Sequence, residues 1–224
     1  MTDLCGLLQL ADGAFPAGSF GHSFGLETAI AAGRVCDGST LEAWIASYVV
    51  DGCATLDGGA IALALHERVP VRALDARVAA AQPNEEIRRA NRHLARATLD
   101  TYDAIGIGGP DIAAYAGDVA AGISAGTHAL AAGLGFRAIG ASVPEALEAY
   151  AAMLVGGCVS VAARGVPLGQ RVAARTRRRL AQAVHAFVDR ALAVRDLDEL
   201  RSSAIACEID GLRHRTLPAR LFAS

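Results

Sequence analysis

Apolar residues recur at spacings of three and four over most of the chain, which is the period of an α-helix with one buried face. The clearest runs cover residues 41–63 and 143–161, and a later one contains Leu180, Val184 and Phe187. No apolar–polar alternation of convincing strand length accompanies them. The pattern therefore predicts an all-α fold, a single-domain helical bundle of roughly eight to ten helices.

Capping signals predict where several of these helices begin. Ser39 with Glu42, and Ser142 with Glu145, have the spacing of a capping box, in which a hydroxyl and a carboxylate satisfy free N–H groups of the first turn. Asn84 is a favourable N-cap for the helix that follows it. We therefore expect long helices after these three positions.

Glycines interrupt the first long apolar run at Gly52, Gly58 and Gly59. Each weakens an exposed helix by about 1 kcal/mol relative to Ala. A glycine also lacks the side chain that keeps a neighbouring helix at a distance. We expect another helix to approach closely here.

The end of the chain differs from the rest. Pro167 is expected to open the last long helix, because Pro is tolerated in a first turn. After Asp198 the apolar rhythm fades, and the remainder is polar and rich in Arg. We predict a helical domain over residues 1–201 and a partner-binding tail over residues 202–224. Leu221 and Phe222 are the expected anchors of that tail.

Composition supports a buried core and excludes several functions. Hydrophobic residues make up 53% of the 224 residues, which is too many for a disordered chain. All 21 basic residues are Arg and none is Lys. A P-loop NTPase and a Schiff-base enzyme both need a lysine, so both classes are excluded.

Charge is distributed unevenly around the net value of −2. Residues 1–170 contain 10 Arg against 17 Asp and Glu, a net charge of −7. Residues 171–224 contain 11 Arg against 6 Asp and Glu, a net charge of +5. The basic part has no interleaved aromatic residues and no known nucleic-acid motif, so a protein partner or an internal charge match is favoured over a nucleic acid.

The sequence contains no recognisable motif for catalysis or for binding a cofactor or a metal. Its six His residues are not paired with one another or with Cys at helical spacings, and its five Cys residues are scattered. Scattered Cys residues indicate reduced thiols. Together with the lack of a signal peptide and of a strongly apolar span, they predict a cytoplasmic protein without a membrane segment. The Ala- and Gly-rich stretch 123–139 comes closest to such a span.

Three parts of the chain resemble the UreF family of urease accessory proteins. The first comprises L-L-Q-L at 7–10, F-P-A-G-S-F at 15–20 and S-F-G-L-E at 23–27. The second is P-L-G-Q at 167–170, and the third is the closing segment 208–224, which contains R-H and R-L-F-A-S. Their order and spacing match the family over nearly the whole chain.

Some positions depart from the family pattern. Gly21 and His22 stand where the family usually has Ser and Tyr, and Gly165 replaces a large apolar residue. Arg215 replaces the Glu after R-H, and Ala residues at 173–174 replace polar ones.

The resemblance implies a non-enzymatic adaptor in urease maturation. It implies an all-α homodimer that binds the accessory protein UreD, also called UreH, through its C-terminal tail. That complex would recruit the GTPase UreG to apo-urease for nickel insertion and regulate GTP hydrolysis. Arg164, beside P-L-G-Q, is the first candidate for an arginine that acts on the GTPase.

The predicted site is therefore a set of partner-binding residues in the motifs that resemble the family, in the basic helix and in the tail. The set comprises Glu27, Arg164, Gln170, Arg175, Arg178, Arg213, His214, Arg220, Leu221 and Phe222. No catalytic, cofactor or metal residue is assigned.

Two alternatives remain open. The chain is a direct nickel-binding metallochaperone if His22, Cys36 or His128 are ligands. It is a nucleic-acid binder if the basic final helix contacts phosphates, which predicts an affinity that falls steeply with salt.

Overall fold

The computed structural model describes residues 2–166 and 169–224, apart from the side chain of Phe20. It confirms the all-α, single-domain prediction, and the described residues include no β-strand. The helices are α1 Leu4–Leu10, α2 Leu26–Ala31, α3 Gly38–Leu65, α4 Val71–Ala81, α5 Glu85–Ile105, α6 Pro110–Ala120, α7 His128–Ala138, α8 Val143–Gly165, α9 Gln170–Arg179, α10 Ala181–Ala193 and α11 Ile205–His214.

Helix α3 lies at the centre of the bundle, with α7, α8 and α10 packed around it. Its middle, Ser47–Gly58, is wound as a π-helix. The predicted close approach at its glycines is confirmed. A Cβ at Gly58 would lie 2.7 Å from the Phe187 ring, and one at Gly59 would lie 2.9 Å from Val194 and Leu200. Side chains at these two positions would therefore push α10 and the segment after it away.

Two of the three predicted caps are confirmed. Ser142 and Glu145 form a capping box at α8, and Asn84 caps α5. The prediction for Ser39 and Glu42 is wrong. Asp37 caps α3 instead, because its extended backbone lets its carboxylate accept from the Thr40 N–H at 2.8 Å.

The last long helix differs from the prediction. Pro167, its expected first residue, lies outside the described residues, and the helix there begins at Gln170. It is divided at Leu180, whose ψ of 1° leaves the helical range. The break lets α9 pack on α3 and α8, while α10 turns to pack on the π-helical segment.

The tail contains a helix that the apolar rhythm did not reveal. Helix α11 buries Cys207, Asp210 and His214, whereas Ile205 and Ile209 are exposed. Its buried face is therefore mostly polar and its exposed face is apolar. A search for apolar residues on a buried face misses such a helix, because the pattern is reversed.

Within the part of the chain that the structure describes, two helices are long and apolar enough to cross a membrane by length and composition alone. They are Gly38–Leu65 and Val143–Gly165, rather than the stretch 123–139. The most apolar window of each is 67% and 50% buried inside the structure, respectively. Core helices of globular proteins pass the same test, so these two helices are weak support for a membrane segment.

Candidate functional site

The C-terminal segment is held against the N-terminal half of the chain by buried polar groups. The first of these is Asp210 in α11, whose side chain is almost completely buried. Its carboxylate accepts hydrogen bonds from both terminal nitrogens of Arg34 and, at 3.2 Å, from the indole N–H of Trp44. A buried carboxylate needs such donors, because leaving it unpaired is strongly unfavourable.

One turn later, His214 is fully buried between two carboxylates. Its Nε2 lies 2.8 Å from Oε2 of Glu27, and its Nδ1 lies 3.0 Å from Oε2 of Glu86. The imidazole ring has a nitrogen on either side, so His214 bridges the carboxylates of α2 and α5 with one contact at each nitrogen.

Arg220 completes this charged cluster. Its Nη1 donates to Oε1 of Glu86 at 3.0 Å. The cluster of Glu27, Glu86, His214 and Arg220 is therefore joined by three close polar contacts. Multiple hydrogen bonds are what make a buried ionic group tolerable.

Glu27 also binds the backbone of the last residues. Its two carboxylate oxygens accept from the N–H of Leu221 at 2.6 Å and of Phe222 at 3.3 Å. The Phe222 ring is buried, and the guanidinium carbon of Arg164 lies 4.4 Å from its centroid. This geometry is a cation–π contact. Glu27 therefore joins α2 to both α11 and the segment that follows it.

The loop before α2 receives the end of the chain. The Ser224 carbonyl accepts from the Phe24 N–H at 3.1 Å and from the Ser23 hydroxyl at 2.7 Å. Phe24 and Gly25 both have positive φ, 52° and 95°. A Cβ at Gly25 would lie 2.6 Å from the backbone nitrogen of Gly211, so glycine is required there for space as well as for conformation.

The opposite side of the segment exposes large apolar side chains. Ile205, Ile209 and Leu212 have spacings of four and three, so they form one stripe along α11. Their relative exposures are 68%, 41% and 43%, and that of Leu221 is 74%. We call these four residues the apolar stripe.

Helix α9 presents the basic surface. Gln170 is its exposed first residue, and Arg179 pairs with Glu42 of α3 at 3.4 Å. The other exposed arginines of α9, which make no salt bridge to any described residue, are Arg171, Arg175, Arg177 and Arg178. Their charge is therefore available to an acidic partner.

The structure brings five of the predicted residues together: Glu27, Arg164, His214, Arg220 and Phe222. Leu221 and Arg213 lie in the same segment with exposed side chains, whereas Gln170, Arg175 and Arg178 belong to the separate surface of α9.

The sequence did not identify Glu86 and Asp210 as site residues. Their identity as acidic residues is visible in the sequence, but their partners lie 128 and 176 residues away along the chain.

The residues of the metal-binding alternative occupy different environments. His22 is buried, with Nδ1 2.9 Å from the Ser224 hydroxyl, and burial lowers its pKa, with a smaller contribution from His93. Burial lowers the pKa of His128 to about 4. Cys36 is exposed just before α3. Within residues 2–166 and 169–224, His, Cys, Asp and Glu form no group of three or more that could hold a metal ion.

Fold and site together define an all-helical protein that binds its own C-terminal segment through charged groups and displays apolar and basic surfaces. The sequence model of the UreF family matches residues 35–181. The chain therefore belongs to the UreF family of urease accessory proteins.

Full-length relatives agree with this assignment. The chain is 34% identical to "Urease accessory protein UreF" of Paenarthrobacter aurescens strain TC1, over 97% of this chain and 96% of that protein. It is 30% identical to the protein of the same description from Corynebacterium glutamicum strain R, over 97% and 96%. It is 32% identical to the protein of the same description from Rhodopseudomonas palustris strain BisA53, over 94% of this chain and 89% of that protein.

Proposed function

We propose that this protein is a cytoplasmic, non-catalytic adaptor in urease maturation. It binds UreD/UreH, and the complex recruits the GTPase UreG to apo-urease, where nickel is inserted. It acts as a homodimer and regulates GTP hydrolysis by UreG. Its membership of the UreF family supports this role, since its relatives are described as urease accessory proteins.

The observation that carries the adaptor proposal is the two-sided C-terminal segment. Its polar face is occupied by Asp210, His214 and their partners within the chain. Its other face is the apolar stripe, which leaves four large apolar side chains exposed to water. Buried apolar anchors dominate protein–protein binding energy, so we assign the stripe to UreD/UreH.

The basic surface of α9 is a second contact area in this proposal. Arg175 and Arg178 are exposed and one turn apart, which suits an acidic patch on a protein partner. Contacts of this kind accelerate association and weaken with salt. We assign them to the assembly with UreG and apo-urease. Arg164, whose guanidinium carbon lies 4.4 Å from the centroid of the Phe222 ring, is the first candidate for the arginine that acts on the GTPase.

Co-purification with tagged UreD/UreH tests the stripe. Ile209→Asp combined with Leu212→Asp should abolish capture, because two charges would be placed in a desolvated contact. Ile123→Asp is the matched control, since Ile123 is 56% exposed at a site outside the tail. Capture of the double variant at the wild-type level would refute the assignment.

Deletion of the chain from Ser203 onward gives a coarser test. The truncated protein should keep its helical circular dichroism and lose UreD/UreH. Co-purification of this truncated, folded protein with UreD/UreH would show that the tail is not the binding element.

A further inference from the structure

An open depression lies between the first half of α5, the loop at residues 18–22 and the end of the tail. Its volume is about 580 Å³, which is within the range of small-molecule sites in proteins. Arg89 and His93 of α5 border this depression, and so does Arg220 of the tail. Basic side chains from two separate elements therefore meet at one concave space.

Arg89 and His93 lack a counter-ion among the described residues. Both are exposed and lie one turn apart on α5, and neither makes a salt bridge to any residue that the structure describes. Glu85, one turn before Arg89, is exposed and is not paired with it. Arg92 and Arg96 continue the basic face along the helix, and like charges at these spacings destabilise a helix. A bound anion would offset that repulsion.

Glu86 is the acidic residue that borders the depression, and its charge is already paired. Its Oε1 accepts from Nη1 of Arg220 at 3.0 Å, and its Oε2 lies 3.0 Å from Nδ1 of His214. The first contact holds the Arg220 side chain beside the depression. A guanidinium has five N–H donors, so Arg220 keeps donors for a further oxygen.

The loop at residues 18–22 lies close to His93. Gly18 has a φ of 82°, and a Cβ there would lie 3.3 Å from Nε2 of His93. A side chain at this position would therefore strain the backbone and press on the imidazole. The Ala223 N–H donates to the Gly21 carbonyl at 2.8 Å, so the loop is also joined to the tail beside the depression. Loop, tail and α5 thus hold the basic side chains around a common space.

We infer that this depression binds a phosphate group, either as the free ion or as a monoester of a small molecule. Guanidinium groups pair with phosphate through short, charge-assisted N–H···O bonds, and the imidazole of His93 supplies another donor. A phosphate group offers the three basic side chains more oxygens and more negative charge than a carboxylate does. The site is separate from the apolar stripe and from the basic surface of α9, and it does not depend on the adaptor role.

Calorimetric titration of the purified full-length protein at constant ionic strength tests the inference. Inorganic phosphate represents the free ion and phenyl phosphate the monoester, with acetate and benzoate as the matched carboxylates. We expect saturable 1:1 binding of at least one phosphate. Binding of its matched carboxylate should be at least about tenfold weaker, which corresponds to the loss of one hydrogen bond to a charged group.

The two phosphates distinguish the possible ligands. Tighter binding of phenyl phosphate would identify a monoester as the ligand, and equal or tighter binding of inorganic phosphate would identify the free ion. Absence of saturable binding by both phosphates would overturn the inference. A carboxylate that binds as tightly as its matched phosphate would overturn it as well.

Arg89→Gln locates the site. The variant should fold as the wild type does, because Arg89 is exposed and makes no salt bridge to a described residue. Its affinity for the tighter-binding phosphate should fall at least about tenfold. Arg92→Gln is the matched control, since Arg92 is exposed on the same helix and does not border the depression. An equal loss in both variants, or no loss in Arg89→Gln, would refute the site.

Hydrogen exchange of the Ala223 amide gives a second measurement. A phosphate bound by both α5 and Arg220 links the tail to α5, so it should slow the opening of the tail. At a concentration about ten times its dissociation constant, the phosphate should slow this exchange roughly tenfold, because the open tail lacks the complete site. The same concentration should have little effect in Arg89→Gln. Unchanged exchange in the wild type would remove Arg220 from the site and overturn the inference.

Discussion

Helices α10 and α11 follow opposite rules. Helix α10 buries Phe187 and Ala191 and exposes polar residues, whereas α11 buries Asp210 and His214 and exposes Ile209. Hydrophobic burial is non-directional, so α10 fits wherever an apolar surface is available. Buried polar groups need donors and acceptors at defined positions, so α11 fits only against Arg34, Trp44, Glu27 and Glu86. The difference teaches that an exposed apolar face need not indicate a frayed end.

Ionisable groups lie in different environments in the core and in the C-terminal tail. In the core, burial raises the pKa of Cys158 to about 12 and lowers that of His128 to about 4, so both are neutral at neutral pH. Along the tail, His214 lies between two carboxylates and Arg220 pairs with one of them. Core stability should therefore depend little on salt, and docking of the tail should depend on it more.

The largest effect is expected where α10 enters the core. Phe187→Ala removes a fully buried ring that contacts Gly58, and it should lower the free energy of global unfolding by about 3–5 kcal/mol. Urea denaturation followed by circular dichroism measures this. Leu192→Ala on the exposed side of α10 is the control and should change little. A small effect at Phe187 would contradict the packing described for α10.

A smaller and local effect is expected in the tail. Glu27→Ala removes the acceptor for His214, Leu221 and Phe222, and it should lower the free energy of opening of the tail by about 3 kcal/mol. Hydrogen exchange of the Leu221 and Phe222 amides reports on this opening, while core amides should change less. Exposed Glu85→Ala is the control. Equal acceleration throughout the chain would show that tail and core unfold together.

Acid should destabilise the core through His128. Its pKa is lowered from 6.5 to about 4, so below pH 6.5 the unfolded chain binds a proton that the folded chain does not. This difference in proton binding has almost no effect on the free energy of unfolding at neutral pH. At pH 5 it lowers the free energy of unfolding by about 2 kcal/mol. His128→Gln should reduce the loss of stability between pH 7 and pH 5 by that amount, as measured by urea denaturation at both values.

Asp57 has the opposite effect on how the free energy of unfolding changes with pH. Because burial raises its pKa to about 6, the folded state gains relative stability as the pH falls through that value. The free energy of unfolding of His128→Gln must therefore be compared with that of the wild type at the same pH, because the wild-type value itself changes with pH. An identical pH dependence in the two proteins would rule out His128 as the cause.

The smallest effect on stability is expected at the most exposed residue of the apolar stripe. Leu221 is 74% exposed, so Leu221→Ser should change the free energy of unfolding by less than about 0.5 kcal/mol. Capture by UreD/UreH should nevertheless weaken under the proposed function. A large loss of stability would mean that Leu221 belongs to the fold, and unchanged capture would remove it from the proposed contact.

Much of the core could be predicted, because its signals are local. The caps at Asn84 and Ser142 and the close approach at Gly58 depend on groups within one turn or on the lack of a side chain. The cap of α3 was misplaced because Asp37 and Ser39 are both suitable residues, and backbone conformation decides between them. The break at Leu180 has no comparable local signal.

The candidate site could be predicted only in part. The motifs that resemble the family pointed to Glu27, His214, Arg220 and Phe222, but they did not show that these residues contact one another. Nor did they reveal Glu86, which bonds both His214 and Arg220.

By itself, the sequence determined the helical class, the family, the exclusion of lysine-dependent chemistry and the uneven charge, because periodicity, composition and motifs are properties of the linear chain. Only the tertiary structure decided that the C-terminal segment binds the chain's own N-terminal half, with α11 turned polar side inward. Glu27 and His214 are 187 residues apart, and their contact at 2.8 Å exists only once the bundle has placed both at one point. Hydrogen bonds are directional and short-ranged, so their partners are defined in space rather than along the chain.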